Sequence, residues 1–246
     1  MPELPDLEVY VERIAALAGG RRLARIRVAS PFLLRTVDPP AEAFAGLPLA
    51  GARRLGKRVV LGFGHELFAV VHLMVAGRLH WRSAGAALPR RHGLAAFDFE
   101  HGSLLVTEAG STRRASLHLV RGAPALAGLD PGGLEVLHAD AGEFRARLQA
   151  ESHTLKRALT DPRLFSGIGN AYSDEILHRA RLSPAALTRA LDGAAIERLH
   201  TACREVLTEW TGRLRRAAVA GFPEKVTAFR EGMAVHGRHR RPCPAC

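Results

Sequence analysis

The chain has few cysteines and no long apolar run. It holds three cysteines in 246 residues, and Cys203 stands far along the chain from Cys243 and Cys246. This number and spacing exclude a disulfide framework. No apolar stretch is long enough to cross a bilayer, and residues 1–5 lack the basic and apolar regions of a secretory signal. We therefore expect a cytoplasmic protein that contacts no membrane.

Lysine is scarce although the chain is strongly basic. The formal net charge is +11 and the pI is near 10.9, yet only Lys57, Lys156 and Lys225 of the 35 basic residues are lysines. A surface of this charge attracts polyanions and releases counterions on binding, which makes nucleic acid the leading partner class. A genome biased toward arginine codons would also raise the pI, but would scatter the arginines.

The first half of the chain predicts one helix followed by strands. Leu7, Tyr10, Ile14 and Leu17 recur at helical spacing within residues 3–18. The short runs typical of β-strands lie at 22–28, 49–55, 58–63, 67–73, 77–82, 94–100, 103–107 and 115–120. This number of short strands indicates a sandwich or a barrel.

The second half predicts helices. Asn170 is a candidate cap, Ser183-Pro184 resembles a cap followed by a first-turn proline, and Asp192 precedes the last helix. Apolar residues of that last helix share one face, so Cys203 is predicted to lie in the core. The predicted helices are 141–151, 154–160, 171–181, 184–191 and 193–217.

The strongest indication of chemistry lies in the first residues. Met1 is normally removed before a small residue, and Pro2 then carries a secondary amine that can attack an electrophilic carbon and form an iminium. An α-amino group titrates at about 7.7–8.0, so part of it is unprotonated near neutral pH. Glu3 follows directly and can donate a proton to an opening sugar ring if burial raises its pKa.

The string at residues 1–9, Met-Pro-Glu-Leu-Pro-Asp-Leu-Glu-Val, resembles the start of the formamidopyrimidine-DNA glycosylase and endonuclease VIII family. Members usually have Glu at the position of Asp6, and the resemblance extends through nearly the whole chain. It implies an α+β fold with an N-terminal helix on a two-sheet β-sandwich, a helix–two-turn–helix (H2TH) domain and a partial zinc finger. The expected bounds are a catalytic domain at 1–120, a linker at 121–134, a DNA-binding H2TH domain at 135–228 and the partial finger at 229–246.

Three basic positions of the first domain match DNA-contacting elements of the family. Lys57, in the string Arg-Arg-Leu-Gly-Lys-Arg, matches a lysine of a β-hairpin that reaches the catalytic pocket. His72 begins a string similar to the strand and loop that fill the gap left by an extruded base. His92 matches a turn that contacts phosphate. The resemblance thus implies a catalytic Lys57 and DNA contacts by both histidines.

The loops that insert into DNA depart from the family pattern. Met74 lies one position earlier than the family's intercalating Met, where Val75 now stands. Arg113 and Arg114 match the loop that brings an Arg and a Phe to the opposite base, but the aromatic residue is missing. The segment 218–229 is short, so the loop that covers an extruded oxidised purine is reduced. These departures weaken the case for recognition of 8-oxoguanine. They do not affect the reaction expected at the DNA sugar–phosphate backbone.

The helical half contains a string similar to the family's H2TH motif, Leu-Phe-Ser-Gly-Ile-Gly-Asn-Ala-Tyr. Gly167 and Gly169 allow a tight backbone turn. The free N–H groups at the start of the next helix are expected to hold a DNA phosphate, with the Asn170 amide as a further donor. Lys156 adds a positive charge on the same side.

The last residues resemble the first half of the family's zinc finger, in which Arg238 is expected to bind DNA. Four thiolates in two Cys-x-x-Cys pairs complete such a site. The printed sequence supplies one pair, Cys243 and Cys246. Either the sequence is cut short, or the finger is absent or completed in trans. Structural Zn²⁺ is expected only with a second pair, because two cysteines do not hold zinc tightly, and catalysis is expected to need no cofactor.

The resemblance implies a monomeric base-excision-repair glycosylase and abasic-site lyase acting on damaged double-stranded DNA. Pro2 attacks C1′ of an extruded nucleotide, Glu3 protonates the sugar oxygen, and an oxidised base of formamidopyrimidine or 8-oxoguanine type departs. The iminium then permits β- and δ-elimination. One alternative is a damaged-DNA or abasic-site binding protein of the same fold, with lyase activity only or without glycosylase activity. Another is a tautomerase with a proline base, in which the motif at 167–170 would have no purpose.

Overall fold

The computed structural model describes residues 1–110, 112–219, 221–224 and 226–244, and the chain divides into two compact units. The first unit comprises Met1–Pro2, Asp6–Asp130 and Arg215–Val226. The second comprises Glu3–Pro5, Pro131–Leu214 and Thr227–Cys246.

The first unit is the predicted β-sandwich with its N-terminal helix. Helix α1 spans Leu4–Ala18 and buries Leu7, Tyr10 and Ile14, as their spacing predicts. Among the described residues of this unit, the strands are β1 (Leu23–Val28), β2 (Leu49–Leu55), β3 (Arg58–Phe63), β4 (Leu67–His72), β5 (Gly77–Arg82), β6 (Gly93–Phe99), β7 (Gly102–Glu108) and β8 (Ser116–Arg121). They form two four-stranded antiparallel sheets in the orders β1-β6-β7-β5 and β2-β3-β4-β8.

A short helix lies within the stretch that the sequence predicts as a linker. Helix α2 spans Ala123–Ala127 and begins with a proline at one of its first positions, where the missing N–H costs nothing. Its Leu126 is buried in a small apolar cluster with Val60, Val70 and Val120 of the second sheet. Burial of this leucine stabilises a helix that is too short to form alone.

The second unit is helical around one apolar core. Its helices are α3 (Ala141–Gln149), α4 (Leu155–Thr160), α5 (Asn170–Ala180) and α6 (Gly193–Ala217), and α6 continues into the first unit. Phe144, Phe165, Tyr172 and Trp210 are among the buried residues. Cys203 is also fully buried there, as predicted, and burial raises the pKa of its thiol.

The prediction of a helix at 184–191 is wrong. Only a single 3-10 turn, Thr188–Ala190, forms in that stretch. The carbonyl groups of Ala186 and Pro184 instead accept the backbone N–H groups of Leu155 and Lys156, at 2.8 and 3.1 Å. These N–H groups belong to the first turn of α4, which has no internal acceptors for them. The segment therefore serves a neighbouring helix end.

Of two predicted helix caps, the one at Asp192 forms and the one at Asn170 does not. The Asp192 carboxylate accepts the N–H of Ala195 at 2.7 Å at the start of α6, so that cap is confirmed. Asn170 is the first residue of α5, and Gly169 occupies the cap position without a side-chain bond. In the described part of 226–244 the chain forms turns, with neither helix nor strand. No helix among the described residues is both long and apolar enough to cross a membrane.

Candidate functional site

The Glu3 carboxylate caps α5. Glu3 is 3% exposed, and its two oxygens accept the backbone N–H groups of Gly169, Ala171 and Tyr172 at 2.7, 2.9 and 3.2 Å. The N–H of Leu4 donates to the Gly167 carbonyl at 2.9 Å. Burial of Glu3 is the condition under which the sequence predicts a proton donor at this position. The three donors and the positive end of the helix nevertheless stabilise the ionised carboxylate, rather than the protonated form that burial alone would favour.

This cap corrects the expectation for the H2TH motif. The N–H of Gly169 was expected to face a DNA phosphate, but it donates to Glu3. A Cβ on Gly169 would lie 2.5 Å from the Glu3 carboxyl carbon, so only glycine allows this approach. Gly167 has φ +77, as the predicted tight turn requires. Asn170 is exposed at the first position of α5 and remains accessible to a ligand.

Lys156 lies beside the same helix but is engaged within the protein. Its Nζ donates to the Asn170 carbonyl at 2.8 Å and forms a close ion pair with Asp174. The second oxygen of Asp174 contacts Nδ1 of His236 at 2.8 Å. Lys156 is therefore a partly neutralised cation, and not the unpaired charge expected from the sequence.

Pro2 is buried, and in the printed chain its nitrogen forms the peptide bond to Met1. Lys57 lies half-buried in the tight turn between β2 and β3, after Gly56 at φ +58. The hairpin predicted around Lys57 is thus confirmed. Arg54 supports it by donating to the Glu8 carboxylate at 2.7 Å and to the Gly56 carbonyl at 3.0 Å.

His72 belongs to a cationic cluster on the second sheet. Its cross-strand partner is Arg58 on β3, and His118 on β8 pairs with Val70, two residues before His72. Burial, reinforced by Arg58, Lys57 and His118, lowers the pKa of His72 to about 4. Burial also lowers the pKa of His118, with Arg58 and Arg35 adding to the shift.

The same cluster holds buried donors without acceptors. Within the described ranges, Nε of Arg58 and Nδ1 of His118 are buried and have no hydrogen-bond partner. Buried polar atoms are almost always paired, so such an exception needs an explanation. A half-buried arginine that adds to the lowering of the pKa of two histidines and has a buried donor without a partner among the described residues is suited to an anion. We refer to Arg58, His72 and His118 as the cationic cluster.

The two predicted insertion loops have exposed tips. Val75 is 66% exposed in the turn between β4 and β5, whereas Met74, at φ +51, is half-buried. Val75 is therefore the more accessible of the two candidate wedges. Arg113 and Arg114 are exposed in the loop before β8, and Arg113 donates to the Arg91 carbonyl at 2.5 Å.

The buried carboxylate of Glu108 holds the second loop at its base. It accepts the backbone N–H groups of Arg114 and Ala115 at 3.0 and 3.1 Å. His92 is exposed in the neighbouring turn, and its carbonyl accepts the N–H of Glu108 at 2.8 Å. Glu108 was missed because a carboxylate that binds backbone N–H groups leaves no sequence signal.

The segment predicted to be a reduced loop is tied to β5. Glu224 forms an ion pair with Arg82, with distances of 2.5 and 2.8 Å, and contacts Nδ1 of His80 at 2.9 Å. The Arg82 and His80 contacts lower the pKa of Glu224 to about 2. Nε of Arg78 donates to the Val226 carbonyl at 2.6 Å, and Phe222 stacks on Tyr10. Lys225 lies outside the described residues.

One of the two cysteines predicted as metal ligands lies among the described residues. Cys243 is half-buried with its Sγ 3.3 Å from Nε2 of His178, and Cys246 lies outside the described residues. Among described residues, no three His, Cys, Asp or Glu side chains are grouped as metal ligands. Arg238 donates to the Pro242 carbonyl at 3.2 Å, and its buried Nε has no partner in the described part of the chain.

Two family profiles match the chain. The formamidopyrimidine-DNA glycosylase N-terminal domain matches residues 1–114, and the formamidopyrimidine-DNA glycosylase H2TH domain matches residues 129–212. The formamidopyrimidine-DNA glycosylase of Moorella thermoacetica is 30% identical over 255 residues, covering the whole chain and 92% of the relative. That of Heliobacterium modesticaldum is 33% identical over 261 residues, with the same coverage.

Solved structures show the same fold. The Lactococcus lactis formamidopyrimidine-DNA glycosylase, bound non-covalently to DNA containing an abasic (AP) site, matches with a TM-score of 0.85 at 21% identity, over 99% of this chain and 91% of that chain. MutM in complex with DNA containing carbocyclic 8-oxo-G matches with a TM-score of 0.77 at 23% identity, over 85% and 79% of the two chains. The sequence relatives, profiles and fold agree, and the chain belongs to the formamidopyrimidine-DNA glycosylase family.

Proposed function

We propose that this protein is a base-excision-repair DNA glycosylase that also cleaves abasic sites, using the amine of Pro2 as nucleophile. The relatives at full coverage are formamidopyrimidine-DNA glycosylases, and a protein of the same fold binds DNA with an abasic site. The partner is damaged double-stranded DNA. The target nucleotide must leave the base stack, at a cost of a few kcal/mol that is smallest for damaged bases.

The observation that carries the proposal is the Glu3 cap. Glu3 follows Pro2 directly in the sequence, and three N–H donors hold its carboxylate. A catalytic acid or base must be held in place to work efficiently, since small misplacements cost large factors in rate. The cap thus fixes a buried carboxylate one residue from the proposed nucleophile.

The three N–H donors favour an ionised carboxylate at Glu3, which suits a proton-transfer role. After removal of Met1, the Pro2 nitrogen attacks C1′, and the glycosidic bond breaks with its electron pair leaving on the base. The ring bond from C1′ to O4′ also breaks, and the nitrogen must lose its proton to form the iminium. We assign Glu3 as the base that accepts this proton and then donates it to O4′.

The iminium explains the lyase step. It acidifies the C2′ proton, so water takes that proton and the phosphate on C3′ leaves with the electron pair of its C–O bond. A second elimination passes the C4′ proton to water, and the phosphate on C5′ leaves in the same way. Water then releases the sugar remnant from Pro2. Every electron pair moves between groups of the DNA, Pro2, Glu3 and water, so the proposed reaction needs no redox cofactor.

The remaining predicted residues are proposed to hold DNA. Lys57 is proposed to contact a phosphate through its positive charge. The cationic cluster, including His72, suits a phosphate because Arg58 is charged and has a buried donor without a partner among the described residues. Asn170 and Lys156 are proposed phosphate contacts of the second unit, although Lys156 must share its charge with Asp174. The positions proposed to contact DNA from exposed loops or from the C-terminal segment are His92, Met74, Val75, Arg113, Arg114 and Arg238.

A second candidate function is binding or lyase action on abasic sites without base release. The insertion loops favour it, because Val75 presents a small wedge and no aromatic residue stands beside Arg113. The ties of Glu224 to β5 favour it also, since they restrain the segment predicted to cover an extruded purine.

Borohydride trapping on a duplex with one abasic site tests the nucleophile. The mature protein is expected to form a covalent adduct, whereas the form that retains Met1, verified by mass spectrometry, forms none. Pro2→Gly supplies a primary amine, so its adduct should form with a different rate and pH dependence. An equal adduct from the Met1-retaining form would overturn the proposal.

Release of oxidised bases then separates the two candidate functions. Duplexes carrying a formamidopyrimidine, 8-oxoguanine or an oxidised pyrimidine are compared with the abasic duplex in single-turnover assays. Release of any of the three supports a glycosylase. Trapping on the abasic duplex with release of none establishes the lyase-only function instead.

A further inference from the structure

We propose that Asp174 and His236 are positioning residues that set how much of the Lys156 charge is available to DNA. Asp174 holds Lys156 in the free protein, and His236 keeps the Asp174 carboxylate when Lys156 turns to a DNA phosphate. All three residues belong to the second unit. The proposal rests on the proposed DNA-binding function and adds a control of affinity to it.

The Asp174 carboxylate is shared between two partners that differ in accessibility. One oxygen forms the close ion pair with Nζ of Lys156, and the other lies 2.8 Å from Nδ1 of His236. An ionised carboxylate only accepts hydrogen bonds, so Nδ1 of His236 donates in this contact. The side chain of His236 is 10% exposed, whereas that of Lys156 is 26% exposed. Lys156 is therefore the partner that an arriving phosphate reaches first.

His236 is fixed in place, whereas Lys156 has a flexible side chain. The buried Glu175 carboxylate accepts the backbone N–H groups of Val235 and His236, both at 2.9 Å. The His236 ring also stacks on Phe229, with the ring centroids 5.5 Å apart. A lysine carries a compact charge on a flexible stem, so Lys156 can change partner while the carboxylate keeps its bond to His236.

The charge of Lys156 counts most at the start of α5. Nζ of Lys156 donates to the Asn170 carbonyl at 2.8 Å, so it already lies beside the exposed residue proposed to contact a phosphate. Glu3 accepts three backbone N–H groups at this helix end, and these donors are not open to a phosphate. The Asn170 side chain and Lys156 then supply the binding, and the pairing of Lys156 with Asp174 opposes it.

Variants of the two positioning residues should change DNA affinity in opposite directions. Asp174→Asn removes the competing charge. Affinity for a duplex with a tetrahydrofuran abasic analogue should then rise about two- to fivefold at low salt, the range for loss of one surface ion pair. The slope of log affinity against log salt concentration should steepen by about 0.9. Fluorescence anisotropy at one fixed pH measures both quantities.

The two substitutions of His236 separate its donor from its ring. His236→Phe keeps a ring beside Phe229 but leaves the Asp174 carboxylate to Lys156 alone, so affinity should fall at least about twofold. His236→Asn loses the ring but retains a side-chain N–H donor, so it should bind DNA more tightly than His236→Phe. Equal losses in the two variants would overturn the role assigned to the donor.

Two controls separate this network from a general effect of charge. Asp161→Asn adds the same unit of net charge but frees Arg163, an exposed arginine of the same unit, and should leave affinity and slope unchanged. Lys156→Gln, combined with Asp174→Asn, should abolish the gain of the single variant, because the gain passes through the Lys156 charge.

The proposal is overturned by unchanged or lower affinity in folded Asp174→Asn, by a gain that persists beside Lys156→Gln, by an equal gain in Asp161→Asn, or by unchanged binding in His236→Phe. Thermal unfolding identifies misfolded variants, and Asp174→Ser takes the place of Asp174→Asn if the latter does not fold. Borohydride trapping at saturating protein reports on Pro2 whatever the state of this network, so failure of the proposed function and failure of this proposal are distinguishable.

Discussion

The two units differ in how the groups proposed to bind DNA are paired within the protein. In the helical unit, carboxylates of the chain neutralise the groups that could bind DNA: Glu3 accepts N–H groups at the start of α5, and Asp174 pairs with Lys156. In the sandwich, the cationic cluster leaves Nε of Arg58 and Nδ1 of His118 buried without acceptors among the described residues. The N–H groups at the start of α5 are thus paired within the protein, whereas two nitrogen atoms of the cationic cluster have no partner among the described residues.

This difference indicates two roles, one for groups that fix the geometry of the protein and one for groups that attract DNA. Satisfied carboxylates fix the backbone, so we infer that Glu3 and Asp174 set geometry. A buried donor without a partner gains from an arriving phosphate, and so does His72, whose pKa is lowered by burial and by its cationic neighbours. We therefore expect variants around Glu3 to change rates and variants of the cationic cluster to change affinity and its response to salt and pH.

Glu3→Gln is expected to have the largest effect. It removes the proposed proton-transfer group and turns one acceptor toward backbone N–H groups into a donor. Base release should fall about 10²–10⁴-fold, and one unsatisfied buried N–H should lower the free energy of unfolding by about 1–3 kcal/mol. Single-turnover base release and chemical denaturation measure the two effects.

The matched control for this variant is Glu12→Gln. Glu12 is also a glutamate near the N-terminus, but it pairs with Arg215 at the surface. It should leave the rate unchanged and alter stability by less than about 1 kcal/mol. Equal rate losses in the two variants would show that the Glu3 cap has no special part in the reaction.

Gly169→Ala tests the same cap without touching a charged group. The added Cβ would approach the Glu3 carboxyl carbon to 2.5 Å and must displace it. A displacement of about 1 Å can cost about 10²-fold in rate. Gly51→Ala is the control, because a Cβ there meets nothing within 4 Å. Normal base release by Gly169→Ala would contradict a positioning role for the cap.

Arg58→Gln is expected to change affinity more than rate. Loss of one phosphate contact should reduce the slope of log affinity against log salt concentration by about 1. Arg163→Gln is the control, since that arginine is exposed in the helical unit and pairs with Asp161. Fluorescence anisotropy over a salt series measures both, and an unchanged slope in Arg58→Gln would remove the cluster from the DNA interface.

The smallest predicted effect is a pH dependence from His72. Its pKa in the free protein is about 4, below the ordinary value of 6.5, so the unfolded chain takes up this proton first as pH falls. The free energy of unfolding of the free protein should therefore fall as the pH decreases from 6.5 to about 4. A bound phosphate raises the pKa of His72, so DNA affinity should increase as pH falls through the same window, by a few-fold. His72→Gln should abolish this dependence in titrations at constant ionic strength, and an unaltered dependence would contradict the assignment.

Much of the sandwich could be predicted, because short runs of strand-forming residues bounded by turn residues are a local property of the sequence. All eight predicted strands occur, with ends shifted by at most two residues. The helix predicted at 184–191 failed because carbonyls there serve the first turn of α4. The hydrogen bonds to a neighbouring helix determine the conformation of this segment, and its own residues do not predict them.

The candidate site divides in the same way. The hairpin around Lys57 follows from its local string, whereas the Glu3 cap joins residues 166 positions apart. The sequence also does not predict the roles of Glu175 and Glu224, because each accepts hydrogen bonds from groups at least 59 positions away. Glu108 was missed because its donors are backbone N–H groups. Patterns of residue type carry no information about such pairings.

The most direct test of the central claim is to locate the trapped sugar on the protein. The borohydride-reduced adduct with an abasic duplex is digested with nuclease and protease, and the modified peptide is sequenced by mass spectrometry. The proposed mechanism predicts a sugar remnant on the nitrogen of Pro2 in the N-terminal peptide that lacks Met1. A remnant on Lys57 or Lys156, with an unmodified Pro2 peptide, would contradict it.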